Sequence, residues 1–116
     1  MKKLICGWVL GGLLGIATGC DKNSQDSTAP PSAESQLMQK GKVAYIANCT
    51  ACHHRNPSQN GALGPPVAGS SLELLQLRLL EGKYPEGYVP KRNTRIMQPL
   101  PQFKNDIQAL HAFLNQ

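Results

Sequence analysis

Hydrophobic residues recur at helical spacing in three stretches of the chain, and the segments between them are rich in glycine and proline. The first stretch follows Ser35, which we expect to cap a helix. The apolar residues of this helix are Leu37, Met38, Val43, Ala44, Tyr45 and Ile46. No stretch shows sustained two-residue alternation, so the pattern predicts an all-α fold with little or no strand.

The second and third stretches carry their own helix signals. Ser70 and Glu73 have the spacing of a capping box, and Gly82 is placed to end the helix that they begin. Asn105 and Gln108 offer a similar cap for the last helix. The apolar residues of that helix fall on one face and are Ile107, Leu110, Phe113 and Leu114. We therefore expect a small domain of three to four helices.

The N-terminus has the pattern of an export signal. Lys2 and Lys3 precede an uncharged run over residues 4–16, which matches the n-region and h-region of a secretory signal. The run is shorter than the roughly 20 residues of a confident membrane span. It ends in Ala-Thr-Gly-Cys at residues 17–20, which resembles a bacterial lipobox. The resemblance implies a signal peptide over residues 1–19.

The same resemblance implies that Cys20 is acylated. The protein would then be exported and lipid-anchored on the periplasmic side of the bacterial inner membrane, where Asp21 resembles a retention signal. Cleavage by the ordinary signal peptidase, which gives a soluble periplasmic protein, and an uncleaved anchor are the alternatives. Residues 20–36 contain many Ser, Thr and Pro and predict a flexible tether, because such a segment buries little apolar surface. The folded domain is expected over residues 37–116.

Size and charge narrow the functions of this domain. The chain has 116 residues and a formal net charge of +5, of which Lys2 and Lys3 contribute two. The remaining excess is too modest for the dense basic stripe of a nucleic-acid-binding protein, so we expect no nucleic-acid partner. A domain of roughly 80 residues often needs a disulfide framework, a metal or a cofactor for stability. Only Cys49 and Cys52 lie inside it, which favours a cofactor.

The strongest chemical signal is Cys-Thr-Ala-Cys-His at residues 49–53, the C-x-x-C-H attachment motif of c-type haem. Two thiols at this spacing on a turn can add across the two vinyl groups of the porphyrin, and the next residue places an imidazole under the iron. Three other interpretations remain. A thioredoxin-like dithiol requires a βαβ setting, and a structural zinc site requires four ligands, for which only His54 and His111 are left. The third is chance occurrence.

With this motif in place, the domain resembles a class I cytochrome c, the family of small monohaem electron carriers. Residues 41–45, Gly-Lys-Val-Ala-Tyr, resemble the family's first helix, in which a glycine and an aromatic residue face the last helix. Residues 64–69, Gly-Pro-Pro-Val-Ala-Gly, resemble the loop whose proline carbonyl receives the proton of the ligand histidine, here at Pro65. The resemblance implies a cytochrome c-like fold around one covalent haem c, held by Cys49, Cys52 and His53.

The resemblance also implies Met97 as the second axial ligand of the iron. Family members usually carry a methionine with a proline close behind it, shortly before the last helix; here Gln98 separates Met97 from Pro99. The alternatives are that Met97 is an ordinary core residue, or that His111 supplies a second histidine ligand. His54 is expected on the surface.

Side chains from several segments are expected around the haem. The apolar ones are Leu63, Val67, Leu75, Leu79, Ile96 and Leu100. Tyr84, Tyr88 and Arg95 are candidates to bond the propionates. Asn93 is a candidate to reach the Met97 sulfur. A basic rim, which would steer docking on an acidic partner, is expected from Lys40, Lys42, Lys83, Lys91, Arg92 and Arg95.

These features imply an electron-transfer protein of a bacterial respiratory or related redox chain, and not an enzyme. His/Met ligation leaves no axial position open for a substrate and raises the reduction potential relative to two nitrogen ligands. Expected partners are a quinol-oxidising complex, a dehydrogenase or a terminal reductase, with the chain itself a monomer. Two alternatives remain: a haem-based sensor or haem enzyme with a weak or missing sixth ligand, and a fixed haem subunit of a membrane oxidoreductase complex.

Overall fold

The computed structural model describes residues 30–116. The predicted signal peptide and the lipid-attachment residue Cys20 lie outside these residues, as does most of the predicted tether. The described part is helical and contains no strand, which confirms the predicted all-α class. Within it, no helix combines the length and the apolar character that crossing a bilayer requires.

Three α-helices and two short helical turns make up this part of the chain. In order they are α1 (Ala33–Asn48), α2 (Leu72–Gln76), a π-helical turn (Leu77–Glu81), a 3-10 turn (Pro101–Asn105) and α3 (Ile107–Leu114). The π-helical turn continues α2 directly, and the 3-10 turn leads into α3. The long segments between them have no regular structure and carry most of the glycines and prolines of the described residues.

Helix α1 begins earlier than the sequence predicts. Its N-cap is Ser32, whose Oγ accepts a hydrogen bond from the backbone N–H of Ser35 at 3.1 Å. Ser35, the expected cap, lies in the first turn and donates its hydroxyl to the Ser32 carbonyl at 2.9 Å. Both serines could cap, but Ser32 directly follows Pro31, which has no N–H for a helix interior. Residues 33–36 therefore belong to the helix and not to the tether.

The cap of α2 is shifted by one residue from its predicted position. Ser71 Oγ accepts from the Leu74 N–H at 3.1 Å, whereas Ser70 is buried and donates to the Val67 carbonyl at 2.6 Å. The burial of Ser70 in the preceding loop explains why its side chain is not free to cap. Gly82 ends the helical segment in the left-handed conformation with φ 71°, as the sequence predicts.

The start of α3 also differs from the prediction. Asn105 is the last residue of the 3-10 turn, so it cannot cap, and Asp106 takes the N-cap position without a side-chain hydrogen bond. The apolar face of α3 is as expected. All four of its predicted residues are buried in the core: Ile107, Leu110, Phe113 and Leu114.

Helices α1 and α3 cross at very close range. A Cβ added at Gly41 would overlap the carbonyl oxygen of Ala109 and lie 2.9 Å from the Cβ of Phe113. One turn further along α1, the ring of Tyr45 packs on Phe113 with 5.4 Å between centroids. Tyr45 is 2% exposed, and its hydroxyl donates to the His54 carbonyl at 2.7 Å. This crossing anchors the end of α1 and the turn that follows it.

Candidate functional site

The end of α1 leads into a tight turn that carries Cys49, Cys52 and His53. The backbone N–H groups of Cys52 and His53 both donate to the Cys49 carbonyl, at 3.2 and 2.8 Å. The N–H groups of Leu63 and Gly64 in turn donate to the Cys52 carbonyl, at 3.1 and 2.8 Å. The turn is thus held from both sides by backbone, and no disulfide joins the two cysteines.

Two glycines allow the following loop to pass directly over this turn. A Cβ at Gly61 would overlap the backbone of Cys52 and His53. A Cβ at Gly64 would lie 2.5 Å from both Cε1 and Nδ1 of the His53 imidazole. The loop therefore forms a cradle around the imidazole that any larger side chain would fill.

The imidazole of His53 is held in one tautomer. Its Nδ1 lies 2.8 Å from the carbonyl oxygen of Pro65. Because a carbonyl oxygen only accepts hydrogen bonds, Nδ1 carries the proton and Nε2 of the neutral ring keeps its free lone pair. This is the contact that the family resemblance implies for these two residues.

A cavity of about 520 Å³ lies against the turn. This is within the range of about 300–1,000 Å³ that is typical of small-molecule and cofactor sites. Cys49, Cys52, His53 and Met97 all line it, and so does Pro65. The cavity also brings together all six apolar residues that the sequence assigns to one pocket, namely Leu63, Val67, Leu75, Leu79, Ile96 and Leu100.

The charged side chains around this cavity are all cationic. Arg78, Lys91 and Arg92 line it, and among the residues that the structure describes no Asp or Glu does. Tyr84 and Tyr88 line it as well, with their rings stacked at 5.3 Å between centroids and 8° between planes. An apolar cavity with this rim suits a largely apolar group that carries negative charge at its edge.

Several predicted residues lie elsewhere. Arg95 and Asn93 are exposed and do not line the cavity, so the described geometry gives them no contact with a group bound there. His54 is exposed, as predicted. His111 lies partly buried on α3 and away from the cavity lining, which does not favour it as an alternative ligand to Met97.

The predicted basic rim is present only in part. Lys91 and Arg92 lie at the cavity. Their side chains connect their own loop to the glycine- and proline-rich loop over residues 60–66. Lys91 Nζ donates to the Pro66 carbonyl at 2.9 Å, and Arg92 Nη2 donates to Asn60 Oδ1 at 3.1 Å. The other four predicted rim residues do not line the cavity: Lys40, Lys42, Lys83 and Arg95. Lys40 is instead paired with Asp106 at 2.8 Å.

Arg78 is a cavity residue that the sequence pattern does not single out. It lies in the π-helical turn, and its guanidinium donates to the carbonyl of Gly82 at 2.7 Å and to that of Met97 at 2.8 Å. It also lies over the ring of Tyr84, 4.9 Å from the centroid. Since both hydrogen-bond acceptors are backbone groups, no side-chain pattern in the sequence could have revealed the contact.

Burial of Cys49 changes its acidity. It raises the pKa of this thiol to about 11, with a further contribution from neighbouring Cys52. The thiol is therefore protonated at neutral pH. A thioredoxin-like site combines a thiol of lowered pKa with a βαβ setting. The pKa of Cys49 is raised and residues 30–116 contain no strand, so the described residues show neither feature.

A structural zinc site is not formed by the described residues either, because within residues 30–116 no three Cys, His, Asp or Glu side chains are placed so that they could hold one metal ion. Comparison with protein-family models, with curated proteins and with solved structures finds no match to this chain.

Proposed function

We propose that this protein is a monohaem c-type cytochrome that transfers electrons through an iron ligated by His53 and Met97. The observation that carries the proposal is the convergence of two thiols, an imidazole and a thioether on one apolar cavity. These groups come from segments far apart in the chain. Cys49, Cys52 and His53 lie in the turn after α1, and Met97 lies in the loop before the 3-10 turn. Their donor set is that of a His/Met-ligated c-type haem.

The residues around the cavity fit such a group. Cys49 and Cys52 would hold the haem through thioether bonds, and when bound the haem supplies the one-electron couple of its iron. The domain's task is to set ligation, burial and access. Covalent attachment suits a domain of this size, which can enclose a cofactor only in part.

His53 is prepared for the role of an axial ligand. The Pro65 carbonyl fixes the proton on Nδ1, which leaves Nε2 as the donor atom and raises its basicity. Gly64 restricts the ring from its other side, since the space there would not admit a single Cβ. The imidazole is thus oriented by contacts with the protein itself.

Met97 would supply the second protein ligand of the iron. A thioether in this role raises the reduction potential relative to a second nitrogen ligand. If His53 and Met97 both held the iron, no coordination position would be left for a substrate, and the centre would suit electron transfer without bond-making. This supports an electron carrier over a haem enzyme or a ligand-binding sensor.

The cationic rim supports the same proposal. Lys91 and Arg92 line the cavity and would be the cations available to pair the carboxylates of a bound haem, and the absence of acidic lining residues from the described cavity avoids repulsion. Of the three residues predicted to bond the propionates, Tyr84 and Tyr88 line the cavity and stay candidates, whereas Arg95 does not line it.

We further propose that the domain is exported and tethered through Cys20 to the periplasmic side of the inner membrane. There it would serve as a monomeric carrier between redox proteins, with a quinol-oxidising complex, a dehydrogenase or a terminal reductase as partners. A fixed subunit of a larger oxidoreductase is the alternative, which co-purification in mild detergent distinguishes from a free carrier.

The test uses full-length protein produced in cells competent for cytochrome maturation. We expect a haem-stained band on a denaturing gel and a low-spin spectrum with a weak sulfur-to-iron charge-transfer band. Met97→Ala should abolish that band and open the reduced protein to carbon monoxide. Met38→Ala is the matched control, since Met38 lies on α1 and does not line the cavity.

Two results would reject the proposal in different ways. An intact mass equal to the bare polypeptide, with or without lipid, would show that no haem is covalently attached. A high-spin wild-type protein that binds carbon monoxide readily would keep the haem and favour the sensor or enzyme alternative.

A further inference from the structure

The loop over residues 91–100, called the methionine loop below, makes few hydrogen bonds to the helical segment beside it, residues 72–81. Residues 93–96 are exposed, and Gln98 donates only to carbonyls within the loop, those of Arg95 and Ile96, at 3.3 and 3.5 Å. Among the described residues, one backbone hydrogen bond joins the end of this loop to the π-helical turn, from Leu100 N–H to the Leu79 carbonyl at 2.6 Å.

Arg78 supplies the other connection, and it does so at Met97 itself. Nη2 donates to the Met97 carbonyl at 2.8 Å while Nη1 donates to the Gly82 carbonyl at 2.7 Å. The face of the guanidinium lies over Tyr84, 4.9 Å from the ring centroid. The guanidinium therefore clamps the Met97 backbone to the end of the neighbouring helical segment.

This arrangement uses the specific geometry of arginine. Its planar fork donates in two directions from a rigid group, and hydrogen bonds from a charged donor are stronger than neutral ones. The Gly82 carbonyl and the Tyr84 ring hold the fork in place, so the bond to Met97 needs little further ordering. A lysine has a single nitrogen on a flexible stem and does not reproduce this bridge.

We infer that Arg78 is a positioning residue that holds the Met97 backbone at the cavity and thereby keeps the thioether on the iron. The inference rests on the proposed function, in which Met97 is the axial ligand. Arg78 acts through the backbone carbonyl of Met97 and not on the sulfur.

The experiment compares Arg78→Gln, Arg78→Lys and Arg95→Gln in the haem-loaded full-length protein. Arg95 lies on the methionine loop, and Arg95→Gln removes one positive charge, as Arg78→Gln does. Among the described contacts the Arg95 side chain makes no hydrogen bond. Three readouts are measured: the sulfur-to-iron band, the rate of carbon monoxide binding to the reduced protein, and amide hydrogen exchange over residues 93–100.

For Arg78→Gln we expect a weakened band and carbon monoxide binding about tenfold faster, which corresponds to loss of one charge-assisted hydrogen bond. Exchange over residues 93–100 should rise with it. Arg78→Lys, which keeps the charge, should fall between this variant and wild type. Arg95→Gln should match wild type in all three readouts. Should Arg78→Gln fail to fold, Arg78→Lys carries the same comparison.

Wild-type values in both Arg78 variants would overturn the inference and leave the proposed function standing. Equal effects in Arg95→Gln would also overturn it, because charge and not the hydrogen bond would then be responsible. A wild-type protein without the sulfur-to-iron band would overturn the axial role of Met97 together with the inference.

Discussion

Gly64 lies closest to the imidazole, and Gly64→Ala is the sharpest test of how the protein holds His53. The new Cβ would lie 2.5 Å from Nδ1 and Cε1, whereas ordinary contacts begin near 3.4 Å. The ring must therefore retreat by about 0.9 Å, or the loop must rise by as much. A displacement of this size is more than the 2.8 Å hydrogen bond from Nδ1 to the Pro65 carbonyl can absorb.

The magnitude follows from three contributions. Loss of the hydrogen bond costs about 1 kcal/mol of unfolding free energy, and overpacking adds about 1–3 kcal/mol. The alanine recovers about 0.4–1 kcal/mol by restricting the unfolded chain, since the backbone of Gly64 is not in the left-handed region. We expect a net loss of about 1–3 kcal/mol together with a disturbed histidine ligand.

The assay is urea unfolding of the haem-loaded protein, with the visible spectrum recorded on the same samples. Gly87→Ala is the matched control. Gly87 has φ 74° and no neighbour within 4 Å of an added Cβ, and it does not line the cavity, so alanine strains only its backbone, by about 1–2 kcal/mol. Both variants should lose stability, but only Gly64→Ala should change the ligand-field spectrum. If Gly64→Ala kept wild-type stability and spectrum, the inference that Gly64 packs too tightly on His53 to admit a Cβ would be refuted.

Two further predictions concern the crossing of α1 and α3. Gly41→Ala forces the helices apart at Ala109. We expect urea unfolding to show a loss of about 1–3 kcal/mol in the free energy of unfolding, even after the better helix propensity of alanine is included. The control Lys42→Ala, on the exposed face of α1, should change this free energy by no more than about 0.5 kcal/mol. Burial, with a smaller contribution from Cys49, raises the pKa of Tyr45 from 10.0 to about 12. The stability that the protonated Tyr45 hydroxyl contributes is therefore complete below pH 10 and is lost as the pH rises to 12. Tyr45→Phe should remove that pH dependence and cost about 1 kcal/mol at neutral pH through the lost bond to the His54 carbonyl; an unchanged alkaline profile would contradict the assignment.

How far the sequence predicts this molecule depends on the range of each interaction. Cys49, Cys52 and His53 are close in sequence, so their spacing alone places them on one turn. The apolar face of α3 follows from its helical period. The close approach of Gly41 to α3 follows from the family resemblance, since a lone glycine in a helix does not indicate what it faces.

Other features depend on contacts that no local pattern records. Ser35 and Ser70 are as good caps as Ser32 and Ser71, and only their surroundings decide between them. Arg78 finds its partners on backbone carbonyls, which are present at every position and carry no side-chain signal. The methionine loop places Arg92 at the cavity and Arg95 away from it, a difference set by tertiary packing.

A group bound in the cavity would also add to the stability of so short a chain. The buried core combines residues of α1, of the helical segment over residues 72–81 and of α3, and the methionine loop lies against the cavity. Leu63 and Ile96 line that cavity while 47% and 56% exposed. A group bound there would cover both side chains, at about 25 cal/mol for each Å² of apolar surface removed from water. Ligation by Met97 would then stabilise the methionine loop and the fold together, because the same contacts serve both.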